Sequence, residues 1–323
     1  MDTSATPPGT HSSPANSPSK SARPRRPALS SLGLSLGKRA RLKRLLYGHG
    51  PGGGTLLVLP IDQGLEHGPV DFFANPEAQD PDYQFRLARE GRFSAIALHI
   101  GLAEKYFHEY AGDVPLILKL NGKTSIPPDT QAFSPLTGSV EDAVRLGADA
   151  VGYTVYVGSP AQDRDFEQFR TVRAAADRFG MPVIVWAYPR GEFIAKRGGK
   201  ESLYAVDYAA RVALELGADI VKLNYPVASE KDKESPAPYN TLALSHEASF
   251  RKVVETAGRA LVLVSGGEKV GDRELLLKVR SSMDAGATGI IFGRNLWQRP
   301  YAEALGLTRE LHAIFREYAE PVA

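Results

Sequence analysis

LELGADIVKLNYPV, residues 214–227, passes from the end of an apolar-striped helix through Gly217 into a short apolar run that carries one cation, Lys222. Glycine supplies the left-handed residue that closes a helix, and Ile220, Val221 and Leu223 have the side-chain type of a buried strand. RLGADAVGYTVY, residues 145–156, makes the same helix-to-strand passage. A chain that repeats this passage builds βα units, and βα units build a parallel sheet.

Outward from this stretch, eight Val/Ile/Leu-rich runs can be read: TLLVLPID, SAIALHIG, PLILKLNG, AVGYTVYVG, PVIVWAYPR, DIVKLNYP, ALVLVSGG and GIIFGRNLW. Amphipathic segments such as DFEQFRTVRAAADRFG and DRELLLKVRSSMDAGA lie between them. Both a TIM (β/α)8 barrel and a doubly wound open sheet fit this alternation. The polar residues favour the barrel, because Asp62, Asn121, Arg190, Asn224, Gly266 and Arg294 fall at carboxyl ends of strands, which in a barrel converge on one mouth.

A barrel of roughly 250 residues fits within the 323 present and leaves a basic extension at the amino end. Residues 1–61 hold nine Lys and Arg against the single acid Asp2. Residues 1–27 are Ser/Pro-rich with almost no large apolar side chains, so they bury too little surface to offset ordering. The expected organisation is a disordered basic leader over 1–35 and a barrel over 36–323, with GKRARLKRLLYG as a short basic helix. The prolines disfavour a transit peptide, and the leader is read as a solvated tail rather than a nucleic-acid arm. No run reaches the roughly 18–20 apolar residues of a membrane helix, so a cytoplasmic protein is expected. With no cysteine, disulfides, thiolate nucleophiles and thiolate metal sites are excluded.

Lys222 sits among apolar neighbours, and burial lowers an amine from its usual pKa of about 10.4 and leaves part of it neutral, as a nucleophile for carbonyls. Lys119 in LILKLNG presents the same pattern, so an ion-paired or snorkelling lysine is the competing reading. Trp186, Tyr188 and Arg190 are spaced two apart and project to one face. They read as a wall, a proton donor and an anion contact, or as barrel packing. Asp62 closes the first strand, with Glu66 and His67 behind it; these lack a second histidine at metal-binding spacing, so no metal is expected. Ser265, Gly266 and Gly267 after the seventh run, and Gly293 and Arg294 after the eighth, occupy the recurrent phosphate site of TIM barrels.

The ordered motifs LPIDQGLEHGP, LKLNGKT, WAYPRG, GADIVKLNYP, SGG and GR resemble the archaeal-type (DhnA-type) class I fructose-1,6-bisphosphate aldolases from about Gly54 to Trp297. The resemblance implies a metal-independent lyase that cleaves fructose 1,6-bisphosphate through an imine on Lys222, with no cofactor. It further implies Tyr188 as general acid/base, Trp186 as a substrate-side wall and Asp62 as the positioning or accepting carboxylate. Ser265, Gly266, Gly267, Gly293 and Arg294 would hold one phosphate and Arg190 the other end of the substrate. The family also has an assisting glutamate shortly after the imine strand, a part for which Glu230 and Glu234 are both available without a residue-by-residue match to either, and a homo-oligomer, a decamer among the options, is expected. Alternatives are another imine-forming enzyme of the family acting on a different phosphorylated sugar, and a noncatalytic sugar-phosphate sensor.

Overall fold

The computed structural model describes residues 26–320. Eight parallel strands close in chain order: β1 Leu56–Pro60, β2 Ala95–His99, β3 Leu116–Lys119, β4 Ala150–Val157, β5 Val183–Pro189, β6 Ile220–Leu223, β7 Leu261–Ser265 and β8 Gly289–Ile291. The helices are α1 Leu36–Lys43, α2 Gln63–Glu66, α3 Pro81–Glu90, α4 Ile100–Tyr106, α5 Val140–Arg145, α6 Gln162–Phe179, α7 Glu192–Ala195, α8 Leu203–Leu216, α9 His246–Thr256, α10 Asp272–Asp284, α11 Arg294–Trp297 and α12 Tyr301–Arg316. The expected TIM barrel is the observed fold. Gly180 and Gly217 close α6 and α8 in the left-handed region at φ 59° and 97°.

Strand periodicity of two separates two cores. Leu57, Leu59, Val221, Leu223, Val262 and Val264 face the helices. Leu56, Val58, Ile117, Ala150, Ile184, Ile220, Leu261 and Leu263 fill the barrel interior. The inward phase, continued one step along β3, β5 and β6, brings Lys119, Trp186 and Lys222 to the interior, and one further step on β5 brings Tyr188. Trp186 pairs with Lys222 in the β5–β6 register.

Gly152, inward on β4, makes this layer possible. A Cβ there would lie 2.5 Å from the Trp186 indole and 3.1 Å from Lys119 Cδ. The missing side chain lets the indole cross from β5 toward β3.

The expected leader boundary at residue 35 moves. Residues 1–25 lie outside the described residues, whereas Leu29 is buried with Leu42, Leu45 and Leu46 in the same cluster as the interior side chains. Arg26 donates to Gly54 O at 3.0 Å, and Lys38 pairs with Asp177 at 2.8 Å and Asp219 at 3.0 Å. Leu29, Leu32 and Leu34 look isolated in a Ser-rich segment, yet a closed barrel has an apolar floor that needs a cover. The short basic helix is present as α1.

Candidate active site

The carboxyl ends of the strands open onto a cavity of about 1150 Å³. Asp62, Tyr188, Arg190, Lys222, Ser265, Gly266, Gly267, Gly293 and Arg294 all line it, so the sequence-predicted set is brought together with one exception. Trp186 is fully buried beneath the lining, a floor rather than a substrate-side wall. It sits one inward step below Tyr188, with the Lys119 and Lys222 amines 5.1 and 5.0 Å from its ring centre.

Lys222 Nζ lies 5.0 Å from the Trp186 ring centre and 5.5 Å from that of Tyr188. Among the described residues it forms no hydrogen bond and no ion pair. Burial, helped by the charge of Arg294, lowers its pKa below the usual lysine range against the opposing pull of Asp62 and Glu66. Lys119 Nζ, 5.1 Å from the same indole, is ion-paired to Glu66 at 2.8 Å and to Asp62 at 3.6 Å. For Asp62, burial acts upward, but Lys119, then Lys222 and His99, bring the carboxyl below its ordinary value. Tyr188 is pushed well above the ordinary phenol range, first by burial and then by Glu66 and Asp62, so it keeps its proton across the physiological range. His99 is lowered to about 4 by burial and by the Lys119 charge.

Glu230 and Glu234 do not reach this centre. Glu230 pairs with Lys233 at 2.5 Å and Glu234 is exposed, because the long loop after β6 turns away from the mouth. The glutamate that enters this centre is Glu66, on α2 directly after β1, and it is paired with Lys119. Its signal was its place four residues beyond Asp62 in DQGLE, one helical turn on. Lys119 is the other group whose part the sequence left undecided. Among the described residues no group of three or more His, Asp or Glu side chains is arranged to hold a metal ion.

Two cationic ends flank the amine. Gly267 has φ +70°, and a Cβ on Gly293 would meet Gln63 Nε2 at 2.7 Å and Trp297 Nε1 at 2.9 Å, so both positions need glycine. Arg294 donates to Gly267 O at 3.1 Å, Lys278 to Gly266 O at 3.3 Å, and Ser265 Oγ to Asn224 Oδ1 at 2.6 Å. On the β3–β5 side, Arg190 stacks 5.3 Å from the Tyr188 ring centre, and Asp129 bridges Arg190 at 3.1 Å and Lys123 at 2.8 Å.

An unpaired, desolvated amine between two cationic ends is equipped for imine chemistry on a phosphorylated carbonyl compound. Residues 56–299 match the family described as DeoC/LacD family aldolase. The chain belongs to that family. Within this aldolase family, it is 41% identical over 273 residues to the class 1 fructose-bisphosphate aldolase of Thermoproteus tenax, covering 83% of this chain and 94% of that protein. It is 33% identical over 287 residues to the 2-amino-3,7-dideoxy-D-threo-hept-6-ulosonate synthase of Halobacterium salinarum, covering 89% and 94%. A solved archaeal fructose-1,6-bisphosphate aldolase, with its catalytic lysine covalently bound to the substrate's carbinolamine intermediate, superposes on this aldolase-family chain with a TM-score of 0.72 at 39% identity, covering 85% and 98%.

Proposed function

We propose that this aldolase-family chain is a class I fructose-bisphosphate aldolase, cleaving fructose 1,6-bisphosphate reversibly to dihydroxyacetone phosphate and glyceraldehyde 3-phosphate. The observation that carries the reading is Lys222: buried, unpaired and shifted toward the neutral amine between the two cationic ends. Lys222 stands on β6, next in the barrel to β7 and β8. The phosphate one carbon from the attacked ketone is therefore assigned to Ser265, Gly266, Gly267, Gly293 and Arg294, and the distal phosphate to Arg190 and Lys123.

Neutral Lys222 adds to the C2 carbonyl; the carbinolamine loses water, and the protonated imine is the electron sink. A carboxylate, Asp62 or Glu66, accepts the C4 hydroxyl proton as the C3–C4 bond breaks, and the electron pair passes into the enamine. Glyceraldehyde 3-phosphate leaves. Tyr188, held protonated, donates to C3, and water hydrolyses the imine to release the ketone. Trp186 under the amine excludes water from that side. The higher identity to the fructose-bisphosphate enzyme than to the heptulosonate synthase favours this substrate over the alternative sugar.

Borohydride trapping with fructose 1,6-bisphosphate in EDTA, followed by peptide mass mapping, tests the reading. An adduct on Lys222 supports it, and a folded protein with no adduct overturns it. The same reading carries a cytoplasmic homo-oligomer, supported by exposed apolar side chains such as Phe73 and Ile126 and checked by light scattering. No described helix is long and apolar enough to cross a membrane.

A further inference from the structure

Two lysines flank one indole, yet only one is neutralised by acids. Lys119, on β3, is fully buried and takes Glu66 at 2.8 Å and Asp62 at 3.6 Å; Lys222, on β6, has neither as an ion-pair partner. The carboxylates reach Lys119 because β1 and α2 place them on its side of the barrel, and Trp186, lying across the gap left by Gly152, has both amines about 5 Å from its ring centre. We propose that Lys119 is a positioning residue: its ammonium balances Asp62 and Glu66, so these acids do not capture Lys222 as an ammonium, and Lys222 is left as the nucleophile. This inference rests on the aldolase reading.

The physical argument is one of net charge in a dry site. Two carboxylates without a resident cation would hold the nearest amine in its charged form, since separating opposite charges at low dielectric is expensive and an unpaired buried carboxylate is costly. Lys119, ion-paired to both acids, meets this demand. The remaining groups at the layer fit the same division. His99, on β2, is kept neutral beside Lys119, whereas Tyr188 on β5 is protonated and Arg294 after β8 is cationic on the side of Lys222. Tyr156 on β4, pushed up by burial and by the charge of Glu66, adds no charge.

The test reads the ionisation of Lys222 without turnover, by trace labelling of the full-length protein with acetic anhydride across pH and peptide mapping. Lys119→Met is expected to move the Lys222 midpoint upward by a pH unit or more, lowering its labelling at neutral pH about tenfold. The acid limb of kcat/KM should move by the same amount, with kcat recovering above the new midpoint. Lys119→Arg, which keeps the charge, should stay near the parent midpoint, and Glu66→Gln, which removes one acid, should move it downward. A folded Lys119→Met protein with an unmoved midpoint overturns the proposal, as does loss of activity to the same extent at every pH. Should Lys119→Met fail to fold, an unmoved midpoint in Glu66→Gln overturns it instead. Failure of the aldolase reading is a separate result, namely no borohydride adduct with fructose 1,6-bisphosphate while the labelling shifts stand.

Discussion

Lys119-Leu120-Asn121 and Lys222-Leu223-Asn224 are the same tripeptide at the ends of two strands, with opposite fates. In the β3 copy the lysine is neutralised by two acids, and Asn121 is locked to backbone, donating to Thr154 O at 2.9 Å and Ser134 O at 3.2 Å and accepting from Thr154 N at 2.7 Å. In the β6 copy the lysine is unpaired, and Asn224 lines the cavity and accepts from Ser265 Oγ at 2.6 Å. Local sequence gives both lysines the inward direction. What each becomes is decided by residues on other strands.

The largest effect separates the copies by chemistry. Lys222→Met should lose roughly a thousandfold or more in kcat and give no borohydride adduct, since covalent catalysis is removed outright. Lys119→Met should still be trapped on Lys222 at a pH above its raised midpoint. Trapping on Lys119 in the parent protein would reverse the comparison.

This division explains what could be read in the residues alone. Inward phase follows from alternation along one strand, so spacing puts Trp186, Tyr188 and Arg190 on one face, apolar neighbours single out Lys222, and their place after the last two strands singles out Ser265 to Gly267 with Arg294. Pairing between strands depends on closure and register, which no single segment encodes. Lys119 therefore could not be told from Lys222, and Glu66 was passed over for Glu230 and Glu234, which are near in sequence but turned away. Trp186 was read as a wall because the depth of a layer depends on Gly152, on another strand. The docking of Leu29 is the same kind of miss, a local composition that conceals a distant apolar face.

The next effect marks the β3 copy by its neighbour. His99 has a folded pKa of about 4 against an ordinary 6.5, so below 6.5 the unfolded chain binds the proton first. Stability is full above that value and is lost as pH falls from 6.5 toward 4, by about 3 kcal/mol in all. Unfolding free energies of the parent and His99→Gln should converge as pH drops through this window; parallel curves would show that His99 is not held neutral.

Gly152→Ala strikes both copies at once. The new Cβ would lie 2.5 Å from the indole that both amines approach, and overpacking of this kind costs about 1–3 kcal/mol. Denaturant unfolding should register that loss, and the labelling midpoint of Lys222 should shift as Trp186 moves. A protein of unchanged stability and tryptophan fluorescence would mean that the layer yields without strain.

The smallest effect lies in the loops that follow the two tripeptides. After β6 the loop pairs Glu230 with Lys233 away from the mouth, whereas after β3 it brings Lys123 and Asp129 to the mouth, where Asp129 occupies Arg190 and Lys123 together. Burial acts upward on Asp129, but Lys123 and Arg190 bring it below the ordinary carboxylate range, so it is an anion seated where the distal phosphate is assigned. A phosphate must displace it. A partly exposed ion pair contributes about 1 kcal/mol at most, so Asp129→Asn should lower KM for fructose 1,6-bisphosphate by up to about fivefold. Fructose 1-phosphate has no distal phosphate to compete, and its KM should not change. An equal fall for both substrates would detach Asp129 from that end and leave Arg190 and Lys123 without their assigned ligand.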